Sequence, residues 1–252
     1  DIKYFKNKKN NSLDGIFRSK ILNTNLKFNF TYDGNQLKIF KSYFRSKNLS
    51  FSNDSIVFLN PFLEIKSEVI VEELKNEIIK KIDFFQILKF KEVLKKINNQ
   101  NIIKFKSKKF GKYKVDDLKI KTNLAYGRLS FSKKLLISND VFNCEGDINF
   151  LEDFPILFFD CSIILKDKRA FLKKFSVKTI SKSENLKIYA KGNLNVLNKK
   201  INFKNVSVNE NYIATKEDLK YFKAAFEKIL LKNRFYEVFD RKKIKDFILE
   251  IS

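Results

Sequence analysis

The sequence has no histidine, no tryptophan and no methionine, and only six glycines, two prolines and two cysteines. The missing histidine excludes the most. Without imidazole there is no Ser–His or Cys–His nucleophile pair and no ordinary zinc site. Two thiols alone leave a metal ligand set short, so neither a metal nor a cofactor is expected. An enzyme would have to use lysine, a carboxylate or tyrosine. No paired-carboxylate motif suggests one, so the chain reads as a non-enzyme with no catalytic residues. Scarce glycine throws the turns onto Asn, Asp and Ser, which take turn geometry less freely. No run approaches the roughly 18 to 20 apolar residues of a membrane helix. No signal peptide is visible. Gly-rich phosphate loops, RNP-like signatures and zinc-finger spacings are absent too.

What remains is apolar and basic. Of 252 residues, 44% are hydrophobic and 28 are phenylalanine. That suffices for a sizeable core and argues against a disordered chain. The formal charge is +23. Such a charge draws nucleic acid, anionic membrane or acidic partners without choosing among them. The dominance of Phe, Lys, Ile and Asn is also what AT-rich coding produces, which discounts the charge as a functional signal. The chain starts at Asp1 with no initiator Met. It therefore reads as a fragment or a processed form, with any anchor or export signal expected upstream.

Periodicity organises the chain. In TNLKFNFTY (24–32), Leu26, Phe28, Phe30 and Tyr32 alternate with Asn25, Lys27, Asn29 and Thr31. Period two marks a half-buried strand, and Asp33-Gly34 then signals a hairpin turn. Strands are also expected at 36–44, 48–52, 55–59, 62–71, 102–106, 113–124, 127–137, 140–150, 156–166, 170–180, 185–196 and 200–208. Over 72–98 the period shifts: Leu74, Ile78, Ile82, Phe85, Ile87, Phe90, Leu94 and Ile97 recur every three or four residues. That predicts an amphipathic helix, or two helices broken near Asp83. Thr215 and Asp218 form a capping-box pattern before a helix lined by Leu219, Phe222, Phe226, Ile229 and Leu230. A second helix is expected near 240–250. No Pro/Gly-rich linker divides the chain, so 1–252 reads as one unit: strand ladder 1–71, helical segment 72–98, strand ladder 99–210 and helical cap 215–250.

The stretch FNCEGDINFLEDFPILFFDCSIIL (142–165) holds both cysteines. Folded about Glu152-Asp153, it sets Phe142 opposite Ile163, Cys144 opposite Cys161, Gly146 opposite Phe159, Ile148 opposite Leu157 and Phe150 opposite Pro155. All lie on one apolar face, and Phe158 is the misfit on the other. A slip of one residue would mix the faces. Cys144 and Cys161 are then either a disulfide or two reduced, buried cysteines. In 185–196, Leu186, Ile188, Ala190, Leu194 and Val196 likewise face away from Lys187, Tyr189, Lys191, Asn193 and Asn195. Lysines thus form a solvated outer face and phenylalanines point inward. A base-stacking surface would put both on one side, so nucleic acid is not expected as a partner. One-sided strands close over a packed core, pack beneath helices, or form an open curved sheet whose greasy face takes acyl chains.

Three segments carry a resemblance: the hairpin at 142–165, FLKKFSVKT (171–179) and LKIYAKGNLNVLNKKINFKNVSVNENYIATKEDLKYFKAAFEKIL (186–230). With the strand–Gly192-Asn193-Leu194–strand pattern and the helix after Ala214-Thr215, the region from about 130 to 252 resembles the C-terminal part of AsmA-like proteins. These are bacterial relatives of the bridge-like lipid transfer proteins. LKIFKSYFRSKNLSFSNDSIVFLNPFLEIKSEV (37–69) is similar to that family's short-strand ladder. The resemblance implies an α+β chain, mainly β, whose curved antiparallel sheet forms an apolar groove. It implies a non-enzymatic role in moving phospholipid between inner and outer membranes, and in envelope biogenesis. The location implied is the periplasm of a Gram-negative bacterium, within a protein anchored in the inner membrane upstream, with an envelope protein as a further partner. The groove would be lined by Leu26, Phe28, Phe30, Phe142, Ile148, Phe150, Leu157, Phe159, Ile163, Leu165, Leu186, Ile188, Leu194 and Val196. The competing readings are a structural envelope-assembly domain with a closed core and no ligand, and a polyanion-binding module.

Overall fold

The computed structural model describes residues 1–7, 11–79, 84–106, 109–110, 113–177, 184–209, 211–232 and 240–251. The chain is mostly strand and divides into two compact units, Asp1–Ser132 and Lys133–Ser252.

In the first unit, β1 (Ile2–Asn7), β2 (Ser12–Ile21), β3 (Thr24–Tyr32), β4 (Gln36–Arg45), β5 (Leu49–Phe58) and β6 (Leu63–Leu74) pair antiparallel, each with the next. The turns are built from side chains, as glycine scarcity demands. Asp33 accepts from the backbone N–H of Asn35 (3.1 Å) and Gln36 (2.9 Å). Ser46 Oγ accepts from Leu49 N–H at 3.1 Å. Short helices α1 (Asn76–Ile79), α2 (Phe84–Leu88) and α3 (Lys91–Leu94) then lead to β7 (Ile97–Phe105). This strand runs parallel to β6, Leu63 opposite Ile97 and Val71 opposite Phe105. A small hairpin, β8 (Lys109–Phe110) with β9 (Tyr113–Lys114), precedes β10 (Asp117–Ala125), which is antiparallel to β7. β11 (Arg128–Ile137) follows the Tyr126–Gly127 turn and runs past the division between the units. Bulges near Lys27/Asn29, Ile39/Ser42 and Ser50/Phe51 bend the strands.

Several expectations are corrected here. The sheet is antiparallel except at β6 and β7. The helical segment of 72–98 is shorter than its apolar spacing suggests. Residues 72–74 extend β6, because Glu73 and Leu74 pair with Ser50 and Leu49, and Ile97 already belongs to β7. Asp83, the expected break, lies outside the described residues. The two strands expected at 48–52 and 55–59 are one, since Asn53 pairs with both Ser42 and Val69 instead of turning. β1 and β2 have no clean alternation and were not expected as individual strands.

Leu22 shows what the shortage of glycine costs. It sits in the β2–β3 turn at φ 51° and is 91% exposed. A left-handed backbone costs an ordinary L-residue about 1–2 kcal/mol, and asparagine less. Leu22→Asn should therefore raise stability by about 1 kcal/mol, read as a higher urea midpoint at unchanged slope.

The second unit contains β12 (Asp140–Asn149), β13 (Ile156–Leu165), α4 (Lys168–Lys174), β14 (Leu186–Asn195), β15 (Lys200–Val208), β16 (Tyr212–Ile213), α5 (Lys216–Leu230) and α6 (Arg241–Ile251). β12 to β16 form consecutive antiparallel pairs, with Cys144 opposite Cys161 and Ile148 opposite Leu157 as the alternation predicts. Phe158, the misfit, is 44% exposed, with the Lys204 amine 5.6 Å from its ring centre. The strand expected at 170–180 is in part a helix. Asp167 caps α4 by accepting from Ala170 N–H at 3.0 Å, and the Phe171 and Phe175 rings, one turn apart, meet tilted at 5.1 Å. Residues 178–180 lie outside the described residues. Thr215 and Asp218 close the capping box of α5: Thr215 N–H donates at 2.8 Å and Thr215 Oγ1 accepts at 3.2 Å. α5 then packs on the sheet through Phe203 and Phe226, which meet edge to face at 5.7 Å.

Candidate functional site

The candidate site is the apolar face that alternation gives to each sheet, and the two units differ in what covers it. Prolines and glycines aside, fourteen apolar residues are buried among the described ones. Only Val71, Val115 and Leu118 belong to the first unit; the other eleven lie in the second.

In the first unit, register aligns Leu13, Tyr32, Leu37, Val57 and Ile65 in one row across β2 to β6. A second row runs through Leu26, Phe44, Phe51, Val71 and Phe105. Leu26, Phe28 and Phe30 lie on this face, half-buried. Phe17 stacks on Phe28 at 4.9 Å and Phe44 on Phe51 at 5.3 Å. Such pairs add about 0.5–1.5 kcal/mol beyond their area. Among the described residues, no helix makes more than marginal contact with β1 to β6. Cross-strand ring pairs supply part of the burial of these phenylalanines.

This face is not apolar throughout. Between the two rows, register sets Ser55, Ser67, Asn101 and Thr122 side by side. Ser67 Oγ donates to Asn101 Oδ1 at 2.5 Å, and Asn101 Nδ2 donates to Thr122 Oγ1 at 3.0 Å. Asn53 Nδ2 donates to Ser55 Oγ at 2.6 Å. Hydrogen bonding among themselves lets Ser67, Asn101 and Thr122 sit within an apolar sheet, while Asn53 Oδ1 on the same face is buried with no hydrogen-bond partner among the described residues. Sequence reasoning missed them because small polar residues carry no hydrophobic period. The opposite face mixes apolar side chains such as Ile56, Phe58 and Ile102 with ion pairs open to solvent, Lys66–Glu64 (3.0 Å) and Lys104–Glu68 (2.5 Å). Exposed pairs of this kind contribute little to stability. The hydrogen bond from Lys104, with its charge, holds the Glu68 carboxyl below its ordinary pKa.

In the second unit, Cys144 and Cys161 are disulfide-bonded on the apolar face. Helices cover that face at both ends. α4 brings Phe171 to 6.0 Å from Phe142. At the other end Leu194, Ile201 and Leu231 form a buried cluster, with Leu157, Phe159, Phe203 and Phe226 packed against it. Five of the groove-lining candidates are therefore core: Ile148, Phe150, Leu165, Leu194 and Val196 are all buried. Phe142, Leu157, Phe159, Ile163, Leu186 and Ile188 stay half-buried. Two charged groups also reach inward. Asp140, 4% exposed, accepts from Lys166 N–H at 3.2 Å and from the Lys174 amine at 3.1 Å, tying α4 to the strands. Lys133, half-buried on β11, has its pKa pushed down by desolvation.

The arrangement offers surface for apolar matter. Among the described residues no group of three or more His, Cys, Asp or Glu is placed to hold a metal. No described helix is long and apolar enough to cross a membrane. No family model matches the chain, and neither a curated protein nor a solved structure matches it.

Proposed function

We propose that this chain is a non-enzymatic lipid-shielding element of the bacterial envelope, which keeps phospholipid acyl chains out of water on an open apolar sheet face. The observation that carries the reading is the half-buried phenylalanine face of β2 to β5, over which no described helix packs.

Burying a methylene is worth roughly 0.8 kcal/mol, so a long acyl chain crosses water slowly unless shielded. Headgroups would stay at the solvent edge, where lysines attract anionic ones. The resemblance to AsmA-like proteins supports a periplasmic place between inner and outer membranes, in a protein anchored upstream. The disulfide suits an oxidising compartment. The closed structural domain remains the second reading, favoured by the helices over both ends of the second unit's face. Lipid mass spectrometry on the chain purified from a bacterial host decides between them. Phospholipid at near one copy or more per chain is expected, and a lipid-free chain would refute the conduit.

A further inference from the structure

Leu129, Phe131, Lys133, Leu135 and Ile137 are half-buried along β11, while Arg128, Ser130, Ser132 and Lys134 are exposed. Lys133 therefore stands where alternation calls for an apolar side chain. The Ser138–Asn139 turn has both residues at positive φ, 51° and 71°. A two-residue turn of that hand pairs Ile137 with Asp140. Counting back sets Leu135 opposite Phe142 and Lys133 opposite Cys144. Beyond Cys144 the same row continues through Cys161 and Ala190 to Val206. From β11 to β15 it crosses four strand spacings, roughly 19 Å.

That row is distinctive. Its side chains are small, and all are half-buried. On one side lie Phe142 and the α4 ring that covers it, and on the other Phe159, Phe203 and the α5 ring. The row runs uncapped by those ring contacts between two helix-covered ends, and it leads to an amine. Among the described residues the Lys133 amine has no hydrogen bond and no carboxylate. Withdrawing an ammonium from water without a partner is costly. A strand that needed only packing would carry leucine there.

We propose that this row seats one acyl chain and that Lys133 binds the anionic head of the amphiphile bearing it, a carboxylate or a phosphodiester. The assignment rests on the lipid-shielding reading and names its ligand class. Three probes test it on the full chain by native mass-spectrometric titration: oleate, phosphatidylglycerol and uncharged monoolein. The net charge of +23 attracts anions everywhere, so the deciding quantity is how a substitution changes the preference. Lys133→Met should cut the preference for an anionic probe over monoolein by about tenfold, the worth of one charged hydrogen bond. Monoolein binding should be unchanged, and Lys133→Arg should keep the preference. Lys133→Met should also melt higher than the parent, since it removes an unpaired desolvated charge, so lost binding will not be mistaken for unfolding. A tenfold effect confined to oleate assigns the carboxylate, and one confined to phosphatidylglycerol the phosphodiester. An unaltered preference in Lys133→Met overturns the assignment while leaving lipid shielding intact. Failure of all three probes to bind overturns both.

Discussion

Gly192→Ala is expected to destabilise the second unit by about 3 kcal/mol, the upper range for forcing an atom into a packed core. Gly192 is buried at the β14–β15 bulge, between Phe159 and Phe203. Those rings meet edge to face at 6.1 Å across the glycine. A Cβ added there would overlap the backbone carbonyl oxygen of Asn202 and the ring of Phe159. A ring can swing aside, but a carbonyl held in a strand ladder cannot move without moving the strand. The reason for glycine is thus space. Urea unfolding monitored by far-UV circular dichroism measures the cost, with Asn193→Ala on the outer face as a near-neutral control. A Gly192→Ala variant as stable as the parent would show that the β14–β15 register is misplaced.

The second large effect concerns Asp140. Its side chain is 6% exposed, and Lys174, whose side chain is 32% exposed, supplies its charged partner. Removing one member of a buried ion pair strands the other, and such losses run at about 3–5 kcal/mol. Because Lys174 keeps some solvent, Lys174→Met should cost about 3 kcal/mol, at the low end of that range. Pairing it with Asp140→Asn should recover more than half, since the stranded charge disappears and the amide oxygen still accepts from Lys166 N–H. A double-mutant cycle in urea reads the coupling. Additive losses would mean that the ion pair does not hold α4 to the strands.

Much of this fold can be read from its residues, and the failures have definite causes. The 142–165 hairpin is legible because both arms alternate and a slip of one residue would mix the faces. The α5 cap is legible because Thr215 and Asp218 are local. Helix α4 is ambiguous on paper: Phe171, Phe175 and Val177 share strand parity, but Phe171 and Phe175 are also one helical turn apart. The cap at Asp167 resolves the ambiguity. The parallel pairing of β6 with β7 leaves no mark in either strand, because period two says which face a residue takes and nothing of its neighbour's direction. The Ser67–Asn101–Thr122 row depends on that pairing and was equally invisible. In the candidate site, alternation pointed Ile148, Leu165 and Leu194 inward but could not say how completely they would be buried. Lys133 breaks a visible alternation, yet one lysine among 52 basic residues does not stand out until its amine is seen without a partner.

The β6–β7 pair also shapes how the chain acquires structure. From β1 to β6 neighbouring strands meet across short connections, so little chain entropy is spent on closure. β7 must wait for residues 75–96 to be made before it can zip alongside β6. Long-range pairing of that kind is the slow event in a ladder of otherwise local contacts. Until it happens, a newly made chain holds a row of unclaimed amides along β6, open to capture by any stray strand.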